Sequence, residues 1–198
     1  MLNQKPGQAT IGIHGRIEEK FLPATYPIFQ TSTFGFHSSE EMLAAFDGQV
    51  PDANIYTRLT NPTVRNVEER LAPLEGAEQA LLFSSGMAAI TAVLMGYLQQ
   101  GDLLVSSRPV YGGTHHLIAD LLPRWGVQTR FLSEEELYDL PTHAPDAKMV
   151  FIETPANPTC MVLSLPQIVE SAKQVGALTV VDNTFASPIN QQPLSHGV

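Results

Sequence analysis

Several short segments of this chain carry side chains suited to holding an anionic, aromatic small molecule. Ser84-Ser85-Gly86-Met87 follows an apolar run and opens a helical pattern. Backbone N–H groups, serine hydroxyls and the helix dipole can converge there on a phosphate. Tyr56 and Arg58 alternate along what reads as an extended stretch, and a phenol hydroxyl beside a guanidinium makes a phosphate clamp. Tyr111 precedes Gly112-Gly113, which leaves its ring free to offer a flat face to an aromatic ligand. Glu153 and Asn157 lie in a turn fixed by Pro155 and Pro158, a carboxylate and an amide suited to a ring substituent. Asp182 follows Thr179-Val180-Val181 at an expected strand tip, where burial penalises its charge unless a cation, such as a protonated ring nitrogen, pairs with it. Each segment also fits a purely structural role: a tight turn at Ser84–Gly86, core packing for Tyr111, a surface arginine, a capped turn after Glu153, an N-cap at Asp182.

The elements that must position these groups follow from periodicity. Residues 1–36 read as an arm punctuated by Pro6, Pro23 and Pro27, with Phe21, Tyr26, Ile28, Phe29, Phe34 and Phe36 seeking a surface to dock on. Ser39–Phe46 reads as a short helix with a serine cap and an acidic first turn, and the first 50 residues are taken together as arm plus helix. Asn61-Pro62 is a cap with proline at the first helical position, followed by Val64, Val67, Leu71 and Leu74 and stopped by Gly76. Strands are expected at Ala80–Phe83, Leu103–Ser106, Val127–Leu132, Met149–Ile152 and Thr179–Val181. Helices are expected near Met87–Gln99, Thr114–Arg124 and Pro166–Val175. Strands separated by helices imply right-handed crossovers and a mainly parallel sheet, an α/β fold that binds ligands outside the carboxyl ends of its strands.

Composition bounds the partner. The 198 residues are 43% hydrophobic and 16% charged, as expected of one folded domain or most of one. A net charge of −9 disfavours nucleic acid and anionic membrane surfaces and leaves a small molecule as the natural ligand. The single Cys160, expected as a small buried residue, and an N-terminus without an apolar signal stretch point to a reducing cytoplasm. Adjacent His115 and His116 diverge in direction on a helix, so no metal site is expected. A dinucleotide-binding oxidoreductase would need a G-x-G-x-x-G after a strand, and none is present.

In order and spacing, these segments together closely resemble the Cys/Met-metabolism family of pyridoxal phosphate (PLP) enzymes, from Thr10 to Val198. The family includes cystathionine γ-lyase, cystathionine γ-synthase, methionine γ-lyase and O-acylhomoserine sulfhydrylase. The resemblance implies the PLP-dependent transferase fold type I, with residues 51–198 forming part of the large cofactor-binding domain. It implies that Tyr56 and Arg58 reach the phosphate of a neighbouring subunit's cofactor, in a homo-oligomer expected to be a tetramer built as a dimer of dimers. Ser85, Gly86 and Met87 would bind phosphate, Tyr111 would stack on the ring and assist proton transfer, and Glu153 and Asn157 would line the ring and its O3′ side. Asp182 would pair with the pyridine nitrogen and Thr184 would support the ring face.

The same resemblance implies a Schiff-base lysine that none of Lys5, Lys20, Lys148 and Lys173 matches in context, so the chain alone is expected to be inactive. For the parent reaction it implies β/γ-elimination on a sulfur amino acid, with γ-replacement as the alternative. A catalytically silent fragment or assembly partner is a further alternative. Met87 favours the lyases and γ-synthases, Gly113 departs from the cysteine common in methionine γ-lyases, and His116 replaces an arginine typical of cystathionine-handling members.

Overall fold

The structure, a computed structural model, describes residues 24–198, and the chain divides into two units, residues 1–82 and 83–198. Phe21, Lys5 and Lys20 lie outside the described residues.

In the first unit, α1 (Ser39–Phe46) is capped by the Ser38 hydroxyl, which accepts the Glu41 N–H. Helix α2 (Pro62–Glu75) starts and stops where local chemistry dictates. The Asn61 side chain accepts the Thr63 N–H at 2.9 Å, and Gly76 closes the helix at φ 72°, a left-handed turn that glycine adopts without strain. The Asn61 amide also donates to Phe29 O and Thr57 Oγ1, both at 3.0 Å, so one buried side chain ties the arm and the Tyr56–Thr60 turn to the helix start. The expected extended stretch through Tyr56 and Arg58 is only half right. Tyr56 pairs in an antiparallel bridge with Thr33, but the chain then turns, with Leu59 N donating to Tyr56 O at 2.8 Å. The turn folds the Arg58 guanidinium over the Tyr56 ring, 5.2 Å from its centroid.

The second unit is a four-stranded parallel sheet with helices on both faces. Its strands β1 (Leu103–Ser107), β2 (Gln128–Leu132), β3 (Ala147–Glu153) and β4 (Leu178–Asp182) lie in the order β2-β1-β3-β4. The two central strands are buried along almost their whole length because both of their faces are covered. Leu104, Met149 and Phe151 point to one face, where they meet Leu94 of α3 (Gly86–Tyr97) and Leu117, Ile118 and Leu122 of the helix that follows β1. Val105, Val150 and Ile152 point to the other, against Leu165, Ile168 and Ala172 of an amphipathic helix spanning Leu165–Val175.

Sequence and structure part at several further places. Ala80–Phe83 is not a strand: no strand among the described residues takes up its backbone groups, and Leu81 is 77% exposed. An apolar run becomes a strand only beside a partner. The single helix expected over Thr114–Arg124 begins earlier, as α4 (Gly112–His116), and then widens through a π segment, where Leu122 N–H donates five residues back to Leu117 O. A 3₁₀ turn at Leu122–Trp125 ends it. Pro123, with no N–H to give, stops the regular pattern there. Two short helices, α5 (Glu134–Leu137) and α6 (Leu140–His143), were not foreseen, although Ser133 and Glu136 form a capping box. Cys160 is exposed rather than buried, because it sits in a surface turn closed by its N–H to Ala156 O at 2.7 Å.

Candidate functional site

The strand order decides where a cavity forms. From β1 the chain leaves toward β2 on one side, whereas from β3 it leaves toward β4 on the other. The loops after β1 and β3 therefore separate, opening a crevice at the carboxyl ends of the strands. A cavity of about 390 Å³ lies there, lined by Ser85, Gly86, Met87, Tyr111, Glu153, Asn157, Asp182 and Thr184, eight of the ten residues singled out from the sequence. Ile90, Pro155 and Phe185 complete the lining. Ile90 follows Gly86 by one helical turn, a spacing that could have revealed it. Tyr56 and Arg58 belong to the first unit.

Ser85 serves as the N-cap of α3. Its hydroxyl accepts the Ala88 N–H at 3.1 Å, which leaves the Gly86 and Met87 N–H groups, without intrahelical acceptors, at the cavity end of a twelve-residue helix. Such an end favours an anion. Tyr111 ends the loop after β1 with its ring half exposed. The ring lies against Gly113, where an added Cβ would come within 2.8 Å of Tyr111 Cε1 and 3.1 Å of Met87 Sδ. Glycine at 113 is what lets the ring rest there.

Two carboxylates close the strand tips. Glu153 and Asp182 are register partners on β3 and β4. Glu153 is 4% exposed, and both of its oxygens are taken by backbone donors: Tyr111 N–H at 2.6 Å and Asn157 N–H at 2.8 Å. Asp182 is half buried. Its Oδ1 accepts the Thr184 N–H at 3.1 Å and the Thr184 hydroxyl, while Oδ2 has no partner among the described residues. A turn-capping contact and a place on the cavity wall thus coexist at Asp182. Among the described residues no lysine or arginine lines the cavity, and Lys148 and Lys173 are exposed elsewhere. Outside the cavity, His115 stacks on Phe131 at 4.7 Å and His116 pairs with Asp120 at 2.7 Å.

A helix N-terminus with open N–H groups, a half-exposed aromatic ring and a carboxylate with one open oxygen together match the phosphate, ring and ring nitrogen of one kind of molecule. The family described as "Cys/Met metabolism PLP-dependent enzyme" matches residues 9–198. The chain belongs to this family. PLP is the family's cofactor, and these lining residues fit it: donors for an anion, a stacking face and an acceptor for a protonated nitrogen.

Among curated relatives, the chain is 41% identical to an O-succinylhomoserine sulfhydrylase of Pseudomonas aeruginosa, with 86% of this chain and 42% of the relative covered. It is 37% identical to an L-methionine γ-lyase of Porphyromonas gingivalis, covering 98% and 49% respectively. It is 38% identical to a cystathionine γ-lyase of Bacillus subtilis, covering 95% and 48%. A solved O-acetylhomoserine (thiol)-lyase of Campylobacter jejuni that carries a pyridoxyl-lysine monophosphate superposes with a TM-score of 0.88 at 31% identity, over 98% of this chain and 47% of that one. MetB of Corynebacterium glutamicum superposes with a TM-score of 0.85 at 32% identity, over 98% and 49%. The chain therefore spans about half the length of the relatives it matches.

Proposed function

We propose that this chain supplies the cofactor cradle of a PLP-dependent C–S lyase of sulfur amino acid metabolism, acting by β/γ-elimination. The observation that carries the reading is the convergence of the α3 N-terminus, Tyr111 and Asp182 on one cavity. PLP, when bound, withdraws electrons from the substrate Cα and so eases loss of its proton. Gly86 and Met87 would hold the phosphate through backbone N–H groups, with Ser85 fixing the helix start. Asp182 would keep a proton on the ring nitrogen through its open Oδ2, with Thr184 orienting the carboxylate through Oδ1. Tyr111 would stack on the ring and move a proton at the leaving sulfur, and Asn157 would face the ring hydroxyl. Tyr56 and Arg58, already stacked together, would clamp the phosphate of a neighbouring copy within a homo-oligomer.

The cradle has no lysine among its described lining residues, so the 198 residues alone would bind PLP without covalent attachment and without turnover. Titrating the chain with PLP, with inorganic phosphate as competitor, should give saturable one-to-one binding. Borohydride treatment should then add no pyridoxyl mass to any single lysine. Absence of saturable binding overturns the cradle, and a stoichiometric adduct on one lysine overturns the noncovalent reading.

A second reading, γ-replacement on an O-acylhomoserine, is favoured by the 41% identity to the sulfhydrylase. A chain of the relatives' length that contains these residues separates the two. Elimination releases a 2-oxo acid from a thioether amino acid without added thiol, whereas replacement consumes an acylated homoserine only when a thiol is supplied.

A further inference from the structure

Glu153 lines the cavity, yet both of its carboxylate oxygens are bonded to backbone donors. It ends β3 at 4% exposure, where a carboxylate is costly unless donors replace the water it has lost. The donors are two backbone N–H groups from different loops. Oε2 accepts from Tyr111, 42 residues away and at the tip of the loop after β1. Oε1 accepts from Asn157, in the loop after β3. The strand end that carries Glu153 is itself tied to β1, its N–H donating to Ser107 Oγ at 3.4 Å. Tyr111 and Asn157 are the two polar side chains that these loops present to the cavity, and neither places itself. The Tyr111 ring is half exposed and rests on the bare Cα of Gly113, so where its backbone sits decides where the ring sits. A negative charge at the start of the Gly112–Trp125 helical segment is also favourable.

We propose that Glu153 is a positioning residue. One buried carboxylate spans the crevice between β1 and β3, holds Tyr111 and Asn157 in place, and raises PLP affinity without touching PLP. The inference rests on the cradle reading above, but its central contact is present without ligand and can be tested without it.

The test uses the 198-residue chain. Backbone amide hydrogen exchange, followed by NMR in the absence of PLP, should show slow exchange at Tyr111 and Asn157 although neither belongs to a strand ladder. Fast exchange at both overturns the proposal, whether or not PLP binds, and this measurement needs no variant to fold. Glu153→Gln preserves the side chain's size but turns one acceptor into a donor, so at least one of the two amides should lose protection while circular dichroism stays unchanged. PLP titration of the same variant should show affinity falling about tenfold, the order expected when one hydrogen bond to a charged acceptor is lost. In a background of Tyr111→Ala with Asn157→Ala, Glu153→Gln should change affinity less than twofold, because the groups it acts through are gone. An undiminished tenfold loss in that background means Glu153 meets the cofactor directly and overturns the proposal. If the unsubstituted chain binds no PLP, the cradle reading fails while the amide measurements still decide the role of Glu153.

Discussion

Glu153 and Asp182 occupy paired positions at the tips of neighbouring strands, yet the structure uses them differently. β3 is an inner strand buried through most of its length, and its terminal carboxylate is sealed with both oxygens saturated by backbone donors. Among the described residues β4 pairs with β3 alone, and it is only half buried. Its carboxylate spends one oxygen on the Thr184 turn and keeps the other open. The same chemical group is saturated where the fold surrounds it and keeps an open oxygen where the fold leaves one side free. Burial and prior hydrogen bonding, rather than residue type, separate the two roles.

The harshest way to break the contrast is Glu153→Ala. Two inward-facing N–H groups lose their acceptor and a void opens, so urea unfolding should show a loss of about 2–4 kcal/mol. A loss within the scatter expected of a surface substitution would show that β3 does not need this carboxylate. Asp182→Asn should do the opposite. Asparagine still accepts the Thr184 N–H, so stability should move by less than about 1 kcal/mol. Affinity for PLP should nevertheless fall about 10- to 100-fold for want of the charge. An asparagine variant that binds PLP like the parent chain would remove Asp182 from the ligand side of the comparison.

Gly113→Ala sharpens the contrast at the Tyr111 ring, next to the Glu153 contact. The new Cβ would crowd Tyr111 Cε1 at 2.8 Å, and the half-exposed ring would swing aside at little cost to stability. PLP titration should register a loss of several-fold, roughly the value of one aromatic contact. Unchanged affinity would mean the ring's resting place does not matter to the ligand.

The smallest effect is expected where the same contact lies at the surface. Glu136 accepts the Ser133 N–H at 2.7 Å, and this bond is the main reason its pKa lies below the ordinary glutamate value. The Ser133 hydroxyl and the charges of His143 and Arg108 add to the effect, and partial desolvation opposes it. A lowered folded-state pKa means that the stabilisation is complete above the unfolded glutamate pKa and is lost as pH falls through the lowered one. Thermal melts of Glu136→Gln against the parent chain should differ slightly near neutrality and converge on acidification. A gap that persists in acid would assign the effect to packing instead.

The chemistry was legible where it is local. Ser85 capping α3, Asn61-Pro62 opening α2, Gly76 closing it and the apolar strands each depend on residues a few positions apart. The Ser133–Glu136 capping box is an equally local signal, but the helix behind it is four residues long, too short to show an apolar period. Ala80–Phe83 misled for the converse reason: its composition suits a strand, but composition cannot supply the neighbour that a strand must bond to. The extended reading of Tyr56–Arg58 failed at a turn that the Leu59 N–H closes onto the Tyr56 carbonyl.

By itself, the sequence determined the α/β class and the bounds of most of the longer helices, since periodicity, caps and turn chemistry are written in adjacent residues, and its family resemblance pointed to eight of the eleven residues that line the cavity. Only the tertiary structure decided which carboxylate is spent and which is open. That choice follows from the order β2-β1-β3-β4, which brings the loop after β1 to the tip of β3 and sets the Tyr111 N–H on a carboxylate 42 residues further along. A hydrogen bond of that span has no local signature. It exists only once the sheet has closed around it and removed the water that would otherwise take its place.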